Sequence, residues 1–208
     1  MTLGRVARLG LFGGSFDPIH CGHILPVREA RRRLELERVV YLPTALPPHK
    51  PGREFAPPHA RYAMVELALL REEGLEASAL ELTLEKPAYT VETLERLRSQ
   101  RPGVELNLLI GGDSFAELPQ WLRWEEIPVL ARVVVLARPG WKFAAALEQA
   151  PAPLRRAEAE GRVILMDTSP VPVSSTELRA RLARGEAPPA GWVPDLVLEY
   201  IRKYDLYR

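Results

Sequence analysis

The chain has one cysteine, Cys21, in 208 residues. No disulfide can close within it, and a cysteine-rich zinc site is excluded. It has no run approaching the ~20 apolar residues that span a bilayer. Its opening residues, Met1 to Leu11, lack a long apolar stretch followed by a small-residue cleavage site. Net charge is also lacking, at +1, so the balance gives no sign of nucleic-acid or membrane-surface binding. Any phosphate recognition must rest on local clusters. Lysine is scarce, 4 against 24 arginines. A cytoplasmic protein is the expectation.

What is present is enough apolar residue, 47%, for a real core, with an ordinary 26% charged. The pattern alternates short apolar segments with helical spacing. Arg8–Phe12, Val39–Leu42, Glu105–Ile110, Arg132–Ala137 and Val163–Met166 read as strands. Leu75–Leu84 reads as extended. Ile24–Leu36, Arg61–Glu73, Val91–Ser99, Ser174–Arg184 and Pro194–Lys203 read as helices, with Arg31, Arg32 and Arg33 on a solvated face. A Pro-rich loop, Pro43–Pro58, is a candidate cover. This order predicts an α/β fold of Rossmann-like, doubly wound type. Its sheet is mostly parallel, with helices on both faces and a small C-terminal helical part. No linker or repeat divides it, so residues 1–208 are expected to form one domain. Ligands in such sheets sit beyond the carboxyl ends of the strands.

The first strand runs into Gly13-Gly14-Ser15-Phe16-Asp17-Pro18-Ile19-His20-Cys21-Gly22-His23, and a helix follows. Glycines allow close backbone approach to a ligand. The helix start offers N–H groups and a positive dipole end to a phosphate. His20 and His23, three apart, can point the same way and donate to a polyphosphate. A tight turn capped by one histidine is an alternative reading, as is zinc ligation. Zinc would need further ligands, which no nearby pattern supplies.

A second phosphate element is Val173-Ser174-Ser175-Thr176-Glu177-Leu178-Arg179. A serine there would cap the helix in any case, but hydroxyls plus Arg179 exceed what a cap requires. Between the two lie Gly111-Gly112-Asp113-Ser114, where Asp113 can cap a helix, accept from a ribose hydroxyl, or do both. Trp121 and Trp124 follow, either as core or with a face stacked on an electron-poor ring. Lys50, in Pro47-Pro48-His49-Lys50, is either a solvated lysine or a point charge for a phosphate. Lys86-Pro87-Ala88-Tyr89-Thr90 precedes a helix that Thr90 can cap, whose first N–H groups suit a carboxylate.

The glycine-histidine run resembles the nucleotidyltransferase form of the His-x-Gly-His signature, and Ser174–Arg179 resembles the Ser-Ser-Thr-x-x-Arg motif of the same enzymes. Taken in order and almost end to end, the segments resemble bacterial nicotinate-nucleotide adenylyltransferases. Pro-Ala-Tyr-Thr-Val-Glu-Thr-Leu, Ile-Gly-Gly-Asp-Ser with its Pro-x-Trp, Ala137–Gly140 and the closing Tyr200–Tyr207 complete the likeness. The resemblance implies ATP and nicotinate mononucleotide as substrates, with no nucleic acid or membrane partner, and is compatible with a homo-oligomer. It implies ATP contacts from Gly13, Gly14, Ser15, Phe16, His20, His23, Gly111, Asp113, Arg138, Ser174, Ser175, Thr176 and Arg179. His20, His23 and Arg179 would serve catalysis. Lys50, Tyr89, Thr90, Trp121 and Leu122 would hold the mononucleotide. Mg2+ would be bound through the ATP phosphates rather than in a protein cage. Pantetheine-phosphate and nicotinamide-mononucleotide adenylyltransferases are the rivals within the fold. A nucleotide-binding regulator without catalysis is the rival outside it.

Overall fold

The computed structural model describes residues 7–45, 55–82, 88–137, 140–169 and 171–208. Among them six parallel strands form one sheet: β1 (Arg8–Gly14), β2 (Arg38–Pro43), β3 (Leu75–Ala77), β4 (Glu105–Gly111), β5 (Arg132–Ala137) and β6 (Val163–Asp167). Their order is β3-β2-β1-β4-β5-β6. The helices are α1 (Cys21–Arg33), α2 (Pro58–Leu69), α3 (Thr90–Gln100), α4 (Gly112–Glu117), α5 (Ile127–Leu130), α6 (Phe143–Gln149), α7 (Ala152–Ala159), α8 (Ser175–Ala183) and α9 (Asp195–Lys203). None of them is long and apolar enough to cross a membrane.

Strand alternation explains why both faces are covered. In β5, Val133 and Val135 enter one apolar cluster and Val134 and Leu136 the other. A strand apolar on both sides must be buried on both sides. One face meets α1, α2, α8 and α9 through Val27, Met64, Leu178, Val197 and Ile201. The C-terminal helices therefore belong to this layer. The other face meets α3, α4, α5 and α7 through Leu94, Phe115, Ile127 and Leu154.

Several elements depart from the sequence reading. The extended segment at Leu75–Leu84 shrinks to β3. Ser78 Oγ accepts the Leu80 N–H at 3.2 Å and Leu82 N–H bonds to the Ala79 carbonyl, so the chain turns instead of pairing. Residues 83 and 84 lie outside the described residues. Helix α1 begins at Cys21 and stops at Arg33, where Glu35 turns left-handed with φ 51°. Arg32 and Arg33 are exposed as expected, but Arg31 is half-buried and donates to the Glu37 carbonyl. The short helices α4 to α7 have too few turns to show a periodicity.

Candidate active site

Strands β1 and β4 are neighbours where the strand order reverses, with Leu11 beside Leu108 and Phe12 beside Leu109. Gly13–Gly14 closes β1 and Gly111 closes β4. The chain leaves the sheet in diverging directions there, which opens a crevice. A cavity of about 580 Å3 occupies it. Its wall takes in Gly13, Gly14, Ser15, Phe16 and His23 after β1, and Gly111 and Asp113 after β4. Tyr89, Thr90, Trp121 and Leu122 also line it.

The run after β1 is built to present His23. His20 stands as the N-cap of α1 in extended conformation and is 2% exposed. Its imidazole lies on Gly22, where a Cβ would sit 2.9 Å from two ring atoms. That contact explains the glycine between the histidines. The two imidazoles stack at 3.8 Å with 24° between planes. Nδ1 of His23 accepts the main-chain N–H of His20 at 3.3 Å, which assigns the ring proton to Nε2. Below, the buried Tyr41 hydroxyl donates to the His23 carbonyl at 2.9 Å. The Phe16 ring meets His23 edge-on at 5.3 Å, with Phe16 itself left-handed at φ 46°.

The second phosphate motif packs directly on this run. Ser174 caps α8, accepting the Glu177 N–H at 3.2 Å. Ser175 Oγ donates to the Pro18 carbonyl at 3.1 Å, 157 positions away. Arg179 donates through Nη1 to the Asp17 carbonyl at 2.5 Å and through Nη2 to Thr176 Oγ1 at 3.2 Å. Ser175 and Arg179 thus hold the segment that leads to His23, and His23 forms cavity wall whereas His20, Ser174, Ser175, Thr176 and Arg179 do not line it.

The middle motifs converge on the same crevice, with two corrections. Tyr89, not Thr90, is the N-cap of α3, and Thr90 opens the helix. Both line the cavity, so the positive end of α3 and its first-turn N–H groups face it. Gly111, not Asp113, is the N-cap of α4. Asp113 sits exposed in the first turn, where its charge favours the helix dipole. Trp121 is half-buried; it packs on the core and also lines the cavity. Trp124 packs on the same core. Lys50 and Arg138 lie outside the described residues, as do Pro47–His49 and Lys86–Pro87.

Other residues here carried no sequence signal. Arg61 is fully buried and donates to four carbonyls: Ser15 at 2.7 Å, Thr44 at 2.8 Å, Ala56 at 2.9 Å and Ala45 at 3.0 Å. It clamps the turn after β1 to the turn after β2. Burial lowers its pKa, opposed by the charge of Asp17. Glu81, 6% exposed, lines the cavity and accepts from Thr44 at 3.2 Å and Thr93 at 3.1 Å. Burial pushes its carboxyl up, and the two hydroxyls oppose that. Trp141 lines the cavity over Gly112, where a Cβ would come within 2.5 Å of the indole. In sequence nothing separates Arg61 or Glu81 from the chain's other charged residues.

Residues 11–181 match the cytidylyltransferase-like family. That span holds both phosphate motifs. Probable nicotinate-nucleotide adenylyltransferases of Aeromonas hydrophila and Thermus thermophilus are each 41% identical, over 96% and 97% of this chain and 97% and 100% of theirs. The chain belongs to the nicotinate-nucleotide adenylyltransferase family. Its fold matches the Plasmodium falciparum nicotinic acid mononucleotide adenylyltransferase complexed with NaAD, with TM-score 0.79 over 97% of each chain at 18% identity.

Proposed function

We propose that this chain transfers the adenylyl group of ATP to nicotinate mononucleotide, giving deamido-NAD and pyrophosphate in NAD biosynthesis. The observation that carries this reading is the direct packing of Ser175 and Arg179 on Pro18 and Asp17, beside the His20–His23 stack. Two motifs some 160 residues apart pack on one another, and the first of them lines a cavity that Tyr89, Thr90 and Trp121 also line.

The 5′-phosphate oxygen of the mononucleotide attacks the α-phosphorus of ATP in line. The bond to the bridging oxygen breaks, and pyrophosphate leaves with those electrons. No side chain becomes covalently attached. Catalysis comes from positioning and from neutralising charge as it develops. His23 Nε2–H donates to the α-phosphate, and His20 supports it. Ser175, Thr176 and Arg179 hold the outer phosphates. Asp113 accepts from a ribose hydroxyl. Trp121 stacks on the pyridine ring, and the N–H groups at the start of α3 receive its carboxylate. Among the described residues no group of three or more His, Cys, Asp or Glu stands together as a metal site. Magnesium would be held through the ATP phosphates. The single cysteine supports a cytoplasmic setting.

The test is pyrophosphate release from ATP with nicotinate mononucleotide, nicotinamide mononucleotide and phosphopantetheine as acceptors. The expected acceptor is nicotinate mononucleotide. Turnover with phosphopantetheine alone, or with none of the three, overturns the reading.

A further inference from the structure

Tyr207 follows α9, far in sequence from the glycine-histidine run, yet its hydroxyl donates to Asp17 Oδ1 at 2.8 Å across 190 positions. Asp17 is 1% exposed. The same Oδ1 accepts the Ala56 N–H at 3.1 Å. The other oxygen, Oδ2, lies 3.7 Å from Nη1 of Arg179, the nitrogen that also donates to the Asp17 carbonyl. The carboxylate is thus oriented: one oxygen is held by the phenol and an amide, and the other faces the guanidinium.

We propose that Tyr207 is a positioning residue for Arg179, acting through the carboxylate of Asp17. This rests on Arg179 binding the ATP phosphates, as set out above. Arginine has many rotamers, and holding one of them costs entropy unless neighbours exclude the rest. A fixed carboxylate does so for the planar guanidinium fork. Without the phenol, Asp17 Oδ1 loses its 2.8 Å donor and the carboxylate is held less firmly. The guanidinium then lies against a looser partner and is less well aimed at a triphosphate. The phenol is suited to the task. Burial and then the charge of Asp17 push its pKa far above the ordinary range, so it remains a donor. Its ring packs against the core, and Leu206 N–H bonds to the Ile201 carbonyl at 3.1 Å, anchoring the segment on α9.

The test uses the full chain and five proteins: wild type, Tyr207→Phe, Arg179→Lys, the double variant of these two, and Asp17→Asn. Tyr207→Phe keeps the ring and removes only the hydroxyl. A hydrogen bond to a charged acceptor is worth about 10-fold or more. We therefore expect kcat/KM for ATP to fall about 10-fold in Tyr207→Phe, with KM for the mononucleotide within about 2-fold of wild type. Adding Tyr207→Phe to Arg179→Lys should cost little more than Arg179→Lys alone, because the phenol acts through the arginine. Asp17→Asn, which keeps the shape and removes the charge, should show the same ATP-selective loss. A purely structural Tyr207 would lower Tm and leave both KM values unchanged, which overturns the proposal. Full additivity in the double variant overturns it too. If Arg179→Lys weakens ATP and Tyr207→Phe does not, the phosphate reading stands and this inference alone falls. If Arg179→Lys leaves ATP untouched, both fall.

Discussion

His20 and His23 stack ring on ring at 3.8 Å, one buried and one lining the cavity. The buried ring sets the height and tilt of the other, and the His20 N–H fixes its tautomer. His23→Ala should then remove one donor to the reacting phosphate, along with the ring contacts on His20 and Phe16. A hydrogen bond to a charged group is worth ~1.5–3 kcal/mol, roughly 10- to 150-fold in kcat. Steady-state kinetics with circular dichroism checks this. Near-normal turnover by a folded His23→Ala protein would sink the assignment.

Gly22→Ala tests the stack without replacing either histidine. The new Cβ would stand 2.9 Å from the His20 imidazole and 3.2 Å from Val173. His20 must move, and His23 with it. Overpacking of this kind costs ~1–3 kcal/mol of stability. Misplacing a catalytic group by about 1 Å can cost on the order of 100-fold in rate. Activity should therefore fall further than Tm alone explains. A variant that loses stability but keeps kcat would show that the ring stack is incidental.

Arg61→Ala should be among the most damaging substitutions away from the substrates. It strands the carbonyls of Ser15, Thr44, Ala45 and Ala56, and removes a cation near the buried Asp17. Breaking a buried charged network typically costs ~3–5 kcal/mol. Arg61→Lys should recover only part, since a point charge cannot reach four acceptors in a fork. Urea midpoints of the three proteins give the answer. Equal midpoints for wild type and Arg61→Ala would contradict the clamp.

Glu81 gives a pH test. Burial raises its folded pKa above the ordinary 4.5. Between those two values the folded state holds a proton that the unfolded state has released. Stability contributed by Glu81 is thus full below the ordinary value and lost as pH rises through the folded one. Glu81→Gln, uncharged and of the same shape, should gain on wild type over that interval. Urea unfolding of both proteins at stepped pH from about 4 to 7, upward from the ordinary glutamate value, measures the difference. A difference that does not change with pH rules the effect out.

The acid should be preferred to the amide. First-turn N–H groups of α3 give a carboxylate charge-assisted hydrogen bonds. An amide turns an NH2 toward those donors and leaves them badly paired. Trp121→Ala should weaken both acceptors by stacking and leave much of the discrimination. The measurement is kcat/KM for the two mononucleotides in both proteins. Equal values in wild type would refute acid selectivity. A ratio that collapses only in Trp121→Ala would assign the choice to the ring.

Local chemistry sufficed for the strands other than β3 and for the cap of α8. β1, β4 and β5 were legible because an apolar run ended by glycine or a polar turn has few other uses, and Ser174 proved the cap its type suggests. The glycine-histidine run carried its own geometry, since positions three apart at a helix start share a face. What the sequence did not determine depends on contacts between distant positions. Asp113 and Thr90 looked like caps, but Gly111, at the end of β4, and Tyr89 hold those positions. Nothing local marked what Arg61, Glu81 and Tyr207 do, because their partners are the turns after β1 and β2, the hydroxyls of Thr44 and Thr93, and Asp17. Only the closing of the sheet, with β1 against β4 and α8 and α9 folded back onto its face, brings those groups within 3 Å or so of one another, where directional hydrogen bonds count.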